Sequence, residues 1–422
     1  MSAIIIATFA ALINFVVLNF GYFIARRISY TSHRSFSRAI IRIALLAVAL
    51  SIAVMIIADA IVIGFQNEIK QKISAFASHI QVGKLKSNFL YENEPVTIND
   101  KFISSIKNIP DVAYIQPFAT KPGIIKTDSS IEGVVLKGVD KSFAWKAFDD
   151  RSFTGKPINF KDTVPSNDIV VSANIAKRLD LKIGDPVIMY FMKDKIDARN
   201  FTITGIYKTG VEEVDKYFIL CDLKQIQELN KWQPNQAGGY EIFIKDFDKL
   251  DDVNQQVRQM TDESVDTKTI KQRYPQIFDW LGLLDTNITV ILILMAVVAT
   301  INMITALLIM ILERTQMIGV LKALGAPNWT LQNVFLINGM ILIGLGLVIG
   351  NGFGFGLMLI QKYFHVMKLS EESYYVSEVP VYFNWLHIAI INIGAFIVCS
   401  LSLLLPTILV NRIRPVKAIR FE

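Results

Sequence analysis

The sequence contains little charge and little cysteine. Only 19% of its 422 residues are Asp, Glu, Lys or Arg, whereas soluble domains usually carry about 25%. Its two cysteines, Cys221 and Cys399, form no CxxC pair, and we expect no disulfide between them because Cys399 falls within a long apolar segment. A disulfide-stapled fold, a zinc ribbon and a dithiol redox site are therefore excluded.

Nucleotide-binding and catalytic signatures are also missing. The sequence has no GxxxxGK[ST] phosphate loop, so we do not expect this chain to hydrolyse ATP itself. Its four histidines, His33, His79, His365 and His387, are scattered, and neither an HExxH zinc motif nor a GxSxG nucleophile elbow occurs. We therefore predict a chain that is not an enzyme and binds neither a metal nor a cofactor of its own.

Four apolar segments account for the shortage of charge: residues 43–65, 288–312, 334–360 and 386–410. Together they contain one acidic residue, Asp59, and neither Lys nor Arg. The shortest has 23 residues, which at about 1.5 Å per residue reach roughly 35 Å and exceed the roughly 30 Å hydrocarbon layer of a membrane. The sequence thus predicts an α-helical membrane protein with four transmembrane helices.

Basic residues outnumber acidic ones in three segments, 1–42, 313–333 and 411–422, which together contain eleven Lys and Arg but only Glu313 and Glu422 as acidic residues. The positive-inside rule assigns these segments, and hence both termini, to the cytoplasm. Residues 66–287 and the short loop 361–385 then lie on the exterior side of the membrane. The formal net charge of +6 is explained by this orientation and does not indicate a nucleic-acid partner.

The N-terminal segment contains two apolar regions. Residues 20–30 combine helical apolar spacing with Arg26 and Arg27, and we predict an interfacial elbow helix there on the cytoplasmic side. Residues 3–19 fit either a fifth span or an interfacial helix. We expect no signal peptide, because no basic residue precedes the apolar run and no small-residue cleavage site follows it.

Residues 66–287 have the composition of a soluble domain. Apolar runs predict strands, and helical periodicity predicts short helices between them. Apolar faces within 67–76 and 270–284 predict stalk helices that continue the first and second spans. We therefore expect a large α/β domain outside the membrane, inserted between the first and second transmembrane helices. Its predicted strands are 79–82, 113–116, 131–136, 168–171, 186–191, 201–207 and 216–220, and its predicted helices are 173–179, 223–229 and 250–260.

Two features lie inside the spans. The four-residue spacings Gly346, Gly350, Gly354 and Gly352, Gly356 predict close packing of the third span against another helix. Asp59 is an acidic group within the first span, and such groups are candidates for function. Its position near the exterior end of the span fits contact with a substrate, pairing with a neighbouring helix, or simple access to the interface.

Residues 313–326 predict a short amphipathic helix on the cytoplasmic side, ending at Gly325 and Pro327. Such a helix could rest on lipid headgroups or insert into a groove on a protein partner. Its sequence, ERTQMIGVLKALGA, resembles the coupling helix of ABC-transporter permeases of the MacB/FtsX superfamily, and the final segment Arg414–Glu422 resembles their usual ending. The order of one span, a large domain and three further spans also matches.

Within that superfamily, the sequence most resembles the lipoprotein-releasing LolC/LolE type. The segments Tyr22–Ile28, Gly64–Ile69 and Val379–Phe383 carry this similarity. The resemblance implies a pair of identical or homologous permease subunits and a separate LolD-like ATPase dimer that binds ATP and Mg. The residues expected to couple to the ATPase are Glu313, Arg314, Met317, Ile318, Gly319, Leu321, Lys322, Leu324 and Gly325.

The same resemblance implies a lipoprotein substrate that enters between the first and second spans in the inner membrane of a Gram-negative bacterium, next to membrane lipids. The expected path residues are Ile56, Asp59, Ile63, Val290 and Leu294. A LolA-like periplasmic carrier would dock at a loop containing Met192, Lys193, Asp194, Lys195 and Ile196, although a plain charged hairpin fits that segment equally well.

Other members of the superfamily suggest alternative functions. An FtsX-like mechanotransmitter activates a periplasmic partner without moving a substrate, and a MacB-like permease drives efflux. A sensor or scaffold without an ATPase is a third alternative, against which the coupling-helix segment argues.

Overall fold

The structure, a computed structural model, describes residues 35–84, 93–97, 99–127, 130–145, 152–192, 196–262, 264–370 and 374–413. The predictions for residues 1–34 and for the closing segment 414–422 lie outside these ranges. The chain forms two compact units. We call them the helical unit, which extends to Phe65 and includes Leu283–Met367 and the chain from Val379 onward, and the sheet unit, which comprises Gln66–Gly282 and Lys368–Glu378.

The helices in chain order are α1 (Ser35–Ala77), α2 (Asp100–Lys107), α3 (Ala173–Leu179), α4 (Glu212–Asp215), α5 (Leu223–Asn230), α6 (Leu250–Gln259), α7 (Ile270–Arg273), α8 (Pro275–Glu313), α9 (Thr315–Ala323), α10 (Asn328–Phe364), α11 (Trp385–Ser402) and α12 (Leu404–Arg412). The strands are β1 (Ile80–Lys84), β2 (Val96–Thr97), β3 (Val112–Lys126), β4 (Ile131–Val139), β5 (Phe153–Gly155), β6 (Asp168–Ser172), β7 (Pro186–Met192), β8 (Ile196–Tyr207), β9 (Phe218–Asp222), β10 (Gln236–Ala237), β11 (Gly239–Ile244) and β12 (Val265–Thr269).

In the part of the chain that the structure describes, four helical stretches are long and apolar enough to cross a membrane: Ile41–Ala77, Pro275–Glu313, Asn328–Phe364 and Trp385–Asn411. Each contains one of the four apolar segments identified in the sequence. The last stretch is divided between α11 and α12 at Leu403. Pro406 falls in the first turn of α12, where its missing N–H group has no helical partner to lose.

The glycines of the third span separate into two groups. A Cβ atom at Gly350 would lie 2.6 Å from the carbonyl oxygen of Ala49, and one at Gly346 would lie 2.8 Å from the Val48 side chain. Gly354 faces Ala53 at ordinary contact distance. The predicted close packing is thus confirmed for the 346, 350 and 354 series, and its partner is α1. The second series differs, because a Cβ atom at Gly352 or Gly356 would meet no atom within 4 Å.

The sheet unit is a mixed α/β structure. Six strands pair in the order β3, β4, β9, β6, β8, β7 and return to β3, so the ring closes on itself. The β4–β9 and β6–β8 pairs are parallel, and the other pairs are antiparallel. Apolar side chains from these strands and from α3 and α5 fill one core. The first half of β3 also pairs with β11, which continues through β1 to β12 in an antiparallel sheet.

All seven predicted strands and all three predicted short helices of this domain are present. Their ends agree to within five residues, except that β3 continues from its predicted end at residue 116 to Lys126. The elements β11 and β12 were not predicted, although β11 is a central strand. Its sequence, GYEIFI, carries Glu241 at a position that the structure buries completely. Glu241 interrupts the apolar pattern of this segment, and a carboxylate inside a strand usually indicates a solvent-facing position. The segment was therefore not predicted to be a buried strand.

One segment of the sheet unit comes from far along the chain. Residues 368–378, within the predicted loop 361–385, cluster with the domain between the first two spans. We call them the strap. Tyr375 has a positive φ of 61°, its carbonyl oxygen accepts a hydrogen bond from Lys72 Nζ at 3.2 Å, and its hydroxyl lies 3.4 Å from Glu213 Oε1. Nothing in the composition of the strap indicated this attachment.

Candidate functional site

The helix α9 connects the second and third candidate spans, and its ends explain much of the recognised motif. At its start, the Thr315 hydroxyl donates to the carbonyl oxygen of Leu312 at 2.6 Å. At its end, Gly325 adopts a left-handed φ of 91°, and the N–H groups of Gly325 and Ala326 donate to the carbonyl oxygens of Lys322 and Leu321, both at 3.0 Å. This pair of bonds is a Schellman motif, which glycine accommodates without strain.

The apolar side of α9 is already occupied by its own chain. Ile318 and Gly319 are buried, and Met317 and Leu321 pack against the core of the helical unit. The family resemblance implied that these four residues contact the ATPase. The structure instead uses them to attach α9 to the spans, because a helix this short gains its stability mainly from tertiary packing.

The opposite side of α9 is open. Leu324 is 80% exposed and Val320 is 48% exposed, and Glu313 and Gln316 are also exposed. Of the predicted coupling residues, the structure therefore leaves Glu313, Leu324 and Gly325 accessible, together with the half-buried Arg314. Gln316 and Val320 were missed, and their signal was position: on a helix they share a face with Glu313 and Leu324.

Lys322 joins α9 to the last helix. Its Nζ atom donates to the carbonyl oxygens of Val410 at 2.7 Å and Ile413 at 3.0 Å, which belong to the C-terminal end of α12. A cation at this position satisfies free carbonyl groups and interacts favourably with the helix dipole. Burial lowers the pKa of the Lys322 ammonium group. Two of its donors thus hold α12, so we interpret Lys322 as a connection within the chain.

The expected substrate-path residues fall into two environments. Ile56 is fully buried in the core of the helical unit, and Ile63 is half-buried. Val290 and Leu294, by contrast, are 51% and 57% exposed on α8. The structure therefore does not bring these four side chains to one surface, and an apolar ligand outside the core could reach the two residues on α8.

Asp59 is buried and contacts a neighbouring helix. Its Oδ1 atom lies 3.4 Å from Nδ1 of His387, near the start of α11. At the next residue of α1, the carbonyl oxygen of Ala60 accepts a hydrogen bond from the N–H of Tyr382 at 3.1 Å. A Cβ atom at Gly64 would approach the carbonyl oxygen of Pro380 to 2.6 Å. Two segments that carried the LolC/LolE resemblance, Gly64–Ile69 and Val379–Phe383, thus approach each other closely where they begin.

Two asparagines form a polar pair between helices that was not predicted from the sequence. Nδ2 of Asn351 on α10 donates to Oδ1 of Asn392 on α11 at 2.6 Å, and Nδ2 of Asn392 donates to Oδ1 of Asn351 at 3.1 Å. Reciprocal amide bonds of this kind hold helices together in an apolar environment. Two asparagines within otherwise apolar runs were the available signal.

The expected carrier-docking loop is the tip of a hairpin in the sheet unit. β7 and β8 pair in antiparallel register, with Met192 opposite Ile196. Met192 is 68% exposed and Ile196 is 71% exposed. Lys193, Asp194 and Lys195 lie outside the described residues. The structure therefore has an exposed apolar pair at the hairpin tip, which the charge of the segment had obscured.

Comparison with known proteins identifies both parts of the chain. Residues 43–260 match the MacB-like periplasmic core domain, and residues 289–415 match the FtsX-like permease C-terminal domain. The chain is 22% identical over 403 residues to the lipoprotein-releasing system transmembrane protein LolE of Haemophilus influenzae, a match that covers 89% of this chain and 92% of that protein.

Two further similarities concern relatives of the same kind. The lipoprotein-releasing system transmembrane protein LolC of Xylella fastidiosa is 20% identical over 400 residues, covering 90% of this chain and 93% of that one. The crystal structure of the periplasmic region of MacB from Actinobacillus actinomycetemcomitans aligns with 49% of this chain and 95% of its own, with 10% identity and a TM-score of 0.32.

The two matched family domains and the similarity to LolE and LolC agree with the resemblance seen in the coupling-helix segment. The MacB-like core domain alone extends over more than half of the chain, and the FtsX-like domain begins at residue 289 and ends at residue 415. The chain therefore belongs to the MacB/FtsX superfamily of ABC-transporter permeases.

Proposed function

We propose that this chain is the permease subunit of an ABC transporter that extracts lipoproteins from the inner membrane for transfer to a periplasmic carrier and the outer membrane. The observation that carries the proposal is similarity along almost the whole chain to transmembrane proteins named as lipoprotein-releasing. The proposal places the sheet unit in the periplasm of a Gram-negative bacterium and both termini in the cytoplasm, following the distribution of basic residues.

In this proposal the energy comes from a separate chain. A LolD-like ATPase dimer binds ATP and Mg, since the sequence here contains no phosphate loop. The exposed side of α9, with Gln316, Val320 and Leu324, enters a groove on the ATPase. Its buried side and Lys322 hold α9 to the spans, so that movement of the ATPase is passed on as rigid-body movement. A second permease subunit, identical or homologous, completes the complex.

The substrate surface in the proposal is the open face of α8. Val290 and Leu294 there are apolar and accessible, as contact with the acyl chains of a lipoprotein requires. Because each buried methylene contributes about 0.8 kcal/mol, several such contacts could retain a triacylated anchor. The hairpin tip with Met192 and Ile196 is the proposed docking point for a LolA-like carrier in the periplasm.

Depletion of the protein followed by fractionation of labelled lipoproteins tests the proposal. We expect triacylated lipoproteins to accumulate in the inner membrane. Purification in mild detergent should recover an ATPase together with acylated lipoprotein. Unchanged delivery to the outer membrane would contradict the proposal. Recovery of a cell-wall hydrolase would then favour an FtsX-like mechanotransmitter, and recovery of an outer-membrane channel would favour a MacB-like efflux permease.

A further inference from the structure

A buried ion pair lies at the centre of the sheet unit. Nζ of Lys137 on β4 is 2.7 Å from Oε1 of Glu241 on β11, and their side chains are 3% and 0% exposed. The Glu241 carboxylate also accepts hydrogen bonds from Nε2 of Gln81 at 2.9 Å and from Nε2 of Gln116 at 2.8 Å. Gln81 and Gln116 stand directly opposite Glu241 on β1 and β3. One carboxylate thus connects side chains from four strands.

Two cations at this centre bind the end of α1. Lys137 Nζ donates to the carbonyl oxygen of Phe76 at 2.5 Å and lies 4.5 Å from the centre of its ring. Arg273 Nη2 donates to the carbonyl oxygen of Ala77 and, at 2.9 Å, to that of Ser78. The last carbonyl groups of a helix have no helical partner and carry partial negative charge. Both cations therefore satisfy groups that would otherwise be buried without a donor.

The position of Arg273 brings the start of α8 into the same centre. Arg273 is the last residue of α7, and α8 begins two residues later at Pro275. The capping box of α7, formed by Thr269 and Gln272, fixes this turn, and the N–H of Ile270 donates to the carbonyl oxygen of His79 at 2.8 Å. The end of α1 and the start of α8 are therefore attached both to each other and to the sheet.

Apolar side chains would fill this volume at a lower cost in free energy. Removing two charges from water costs several kcal/mol per ion, and apolar replacements of buried ion pairs are often neutral or stabilising. Burial lowers the pKa values of Lys137 and Arg273 accordingly, while Glu241 opposes the shift in both. Charged hydrogen bonds have a preferred direction, which apolar packing lacks, and they fix the register of the elements that they join.

We propose that Lys137, Glu241 and Arg273 form a clasp that makes the end of α1, the start of α8 and the central sheet move as one rigid body. These three are positioning residues. The α1 and α8 helices each contribute residues to both units, so the clasp converts displacement of the two spans into displacement of the sheet unit. This inference rests on the proposed transport function. It adds the residues that transmit the movement of the spans to the sheet unit.

The test uses the full chain purified with its ATPase and measures lipoprotein release per ATP hydrolysed. Replacing Arg273 by Met leaves the two carbonyl oxygens without their donor while keeping most of the side-chain volume. We expect release per ATP to fall about tenfold or more, the change that a loss of about 1.4 kcal/mol in coupling produces. ATPase association and hydrolysis should remain close to wild type, and Arg273→Lys should restore part of the release.

Two further variants serve as comparison and control. Lys137→Met combined with Glu241→Gln removes both charges of the ion pair and should also lower release per ATP. Lys249 and Asp111 form an ion pair in the same unit at 2.9 Å, with side chains 49% and 31% exposed. Lys249→Met should leave the ratio unchanged, because exposed ion pairs contribute little. If the Arg273→Met variant releases as much lipoprotein per ATP as the wild type does, the proposal is wrong.

Hydrogen exchange on the wild-type protein keeps the proposal testable if these variants do not fold. The backbone N–H groups of Ser78 and Tyr274 are bonded within the clasp segments, and we expect them to exchange slowly both with and without ATP. A rise of about tenfold on ATP addition would show that the joint opens during the cycle and would refute a rigid clasp. If wild-type protein releases no lipoprotein, the proposed function fails, whereas hydrogen exchange still tests the clasp.

Discussion

At the scale of single residues, His79 shows how one neutral side chain fixes the junction between α1 and the sheet. Its Nδ1 atom accepts the N–H of Ile244 at 3.3 Å, so a proton on that atom would break the bond. Its ring lies 6.0 Å from that of Phe243 and 5.9 Å from that of Phe247. Burial, and to a smaller extent the charge of Arg273, lowers the pKa of His79 to about 4. The folded protein therefore holds this histidine neutral.

This lowered pKa predicts a loss of stability in mild acid. An unfolded histidine has a pKa of about 6.5 and takes up a proton before the folded one does. The contribution of His79 to the free energy of unfolding is complete above about pH 6.5 and is lost as the pH falls towards about 4, by up to about 3 kcal/mol. Thermal unfolding in detergent between about pH 7 and pH 5 measures it.

Two variants separate His79 from other groups that titrate in this range. His79→Gln should unfold with a weaker pH dependence than the wild type, because the group that binds the extra proton on unfolding is gone. His365 is exposed, and His365→Asn serves as the control for removal of a histidine elsewhere in the chain. An unchanged profile in His79→Gln would show that the folded protein does not keep this side chain neutral.

At the scale of elements, the presence of a helix was easier to predict than which of its faces is buried. The period of apolar residues gave the four candidate spans and the short helix α9, because burial in lipid or in a core requires that pattern. The same pattern did not indicate what covers each face. Ile318 and Leu324 are both apolar, yet one is buried in the chain's own core and the other is 80% exposed. Only the packing of α9 against distant helices separates them.

This difference predicts opposite phenotypes for the two sides of α9. Leu324→Asp should leave the helical unit intact and weaken ATPase association about tenfold or more, since burying a leucine at an interface contributes about 1.5–3 kcal/mol. Ile318→Asp should instead destabilise the helical unit, because it places an unpaired charge in the core. Co-purification of the ATPase, together with the thermal stability of the permease, measures both effects.

A matched control excludes a general effect of added charge. Ile131 is an exposed apolar residue of the sheet unit, and Ile131→Asp should retain both stability and ATPase association. If Leu324→Asp binds the ATPase as tightly as Ile131→Asp does, the open side of α9 is not the contact surface.

At the scale of the whole molecule, the connections between distant segments were the least predictable feature. The chain passes from one unit to the other at Phe65, Gly282, Met367 and Glu378. The first two crossings follow from the helical patterns that continue past the spans. The last two belong to the strap, which joins the sheet unit through Tyr375, Lys72 and Glu213. These contacts involve residues more than 160 positions apart in sequence, and no local pattern encodes them.

Tyr375 also lies beside the start of α8, with its ring centre 6.3 Å from that of Trp280. One residue of the strap thus contacts α1, α4 and α8. We predict that Tyr375→Ala detaches the strap while leaving the strands and the spans intact. The backbone N–H of Leu369, which donates to the carbonyl oxygen of Ser377 at 2.9 Å, reports on this segment, and its exchange should accelerate about tenfold for a loss of about 1.4 kcal/mol.

Tyr375→Phe provides the matched comparison. It keeps the ring beside Trp280 and the carbonyl group that Lys72 binds, and it removes only the hydroxyl contact with Glu213, so the exchange of Leu369 should stay within about threefold of wild type. The strap leads directly into the segment that packs on α1 at Gly64, so a detached strap should also lower lipoprotein release per ATP. Accelerated exchange with unchanged release would mean that the strap stabilises the fold but does not transmit movement. The helices α1 and α8 would then be the segments that transmit it.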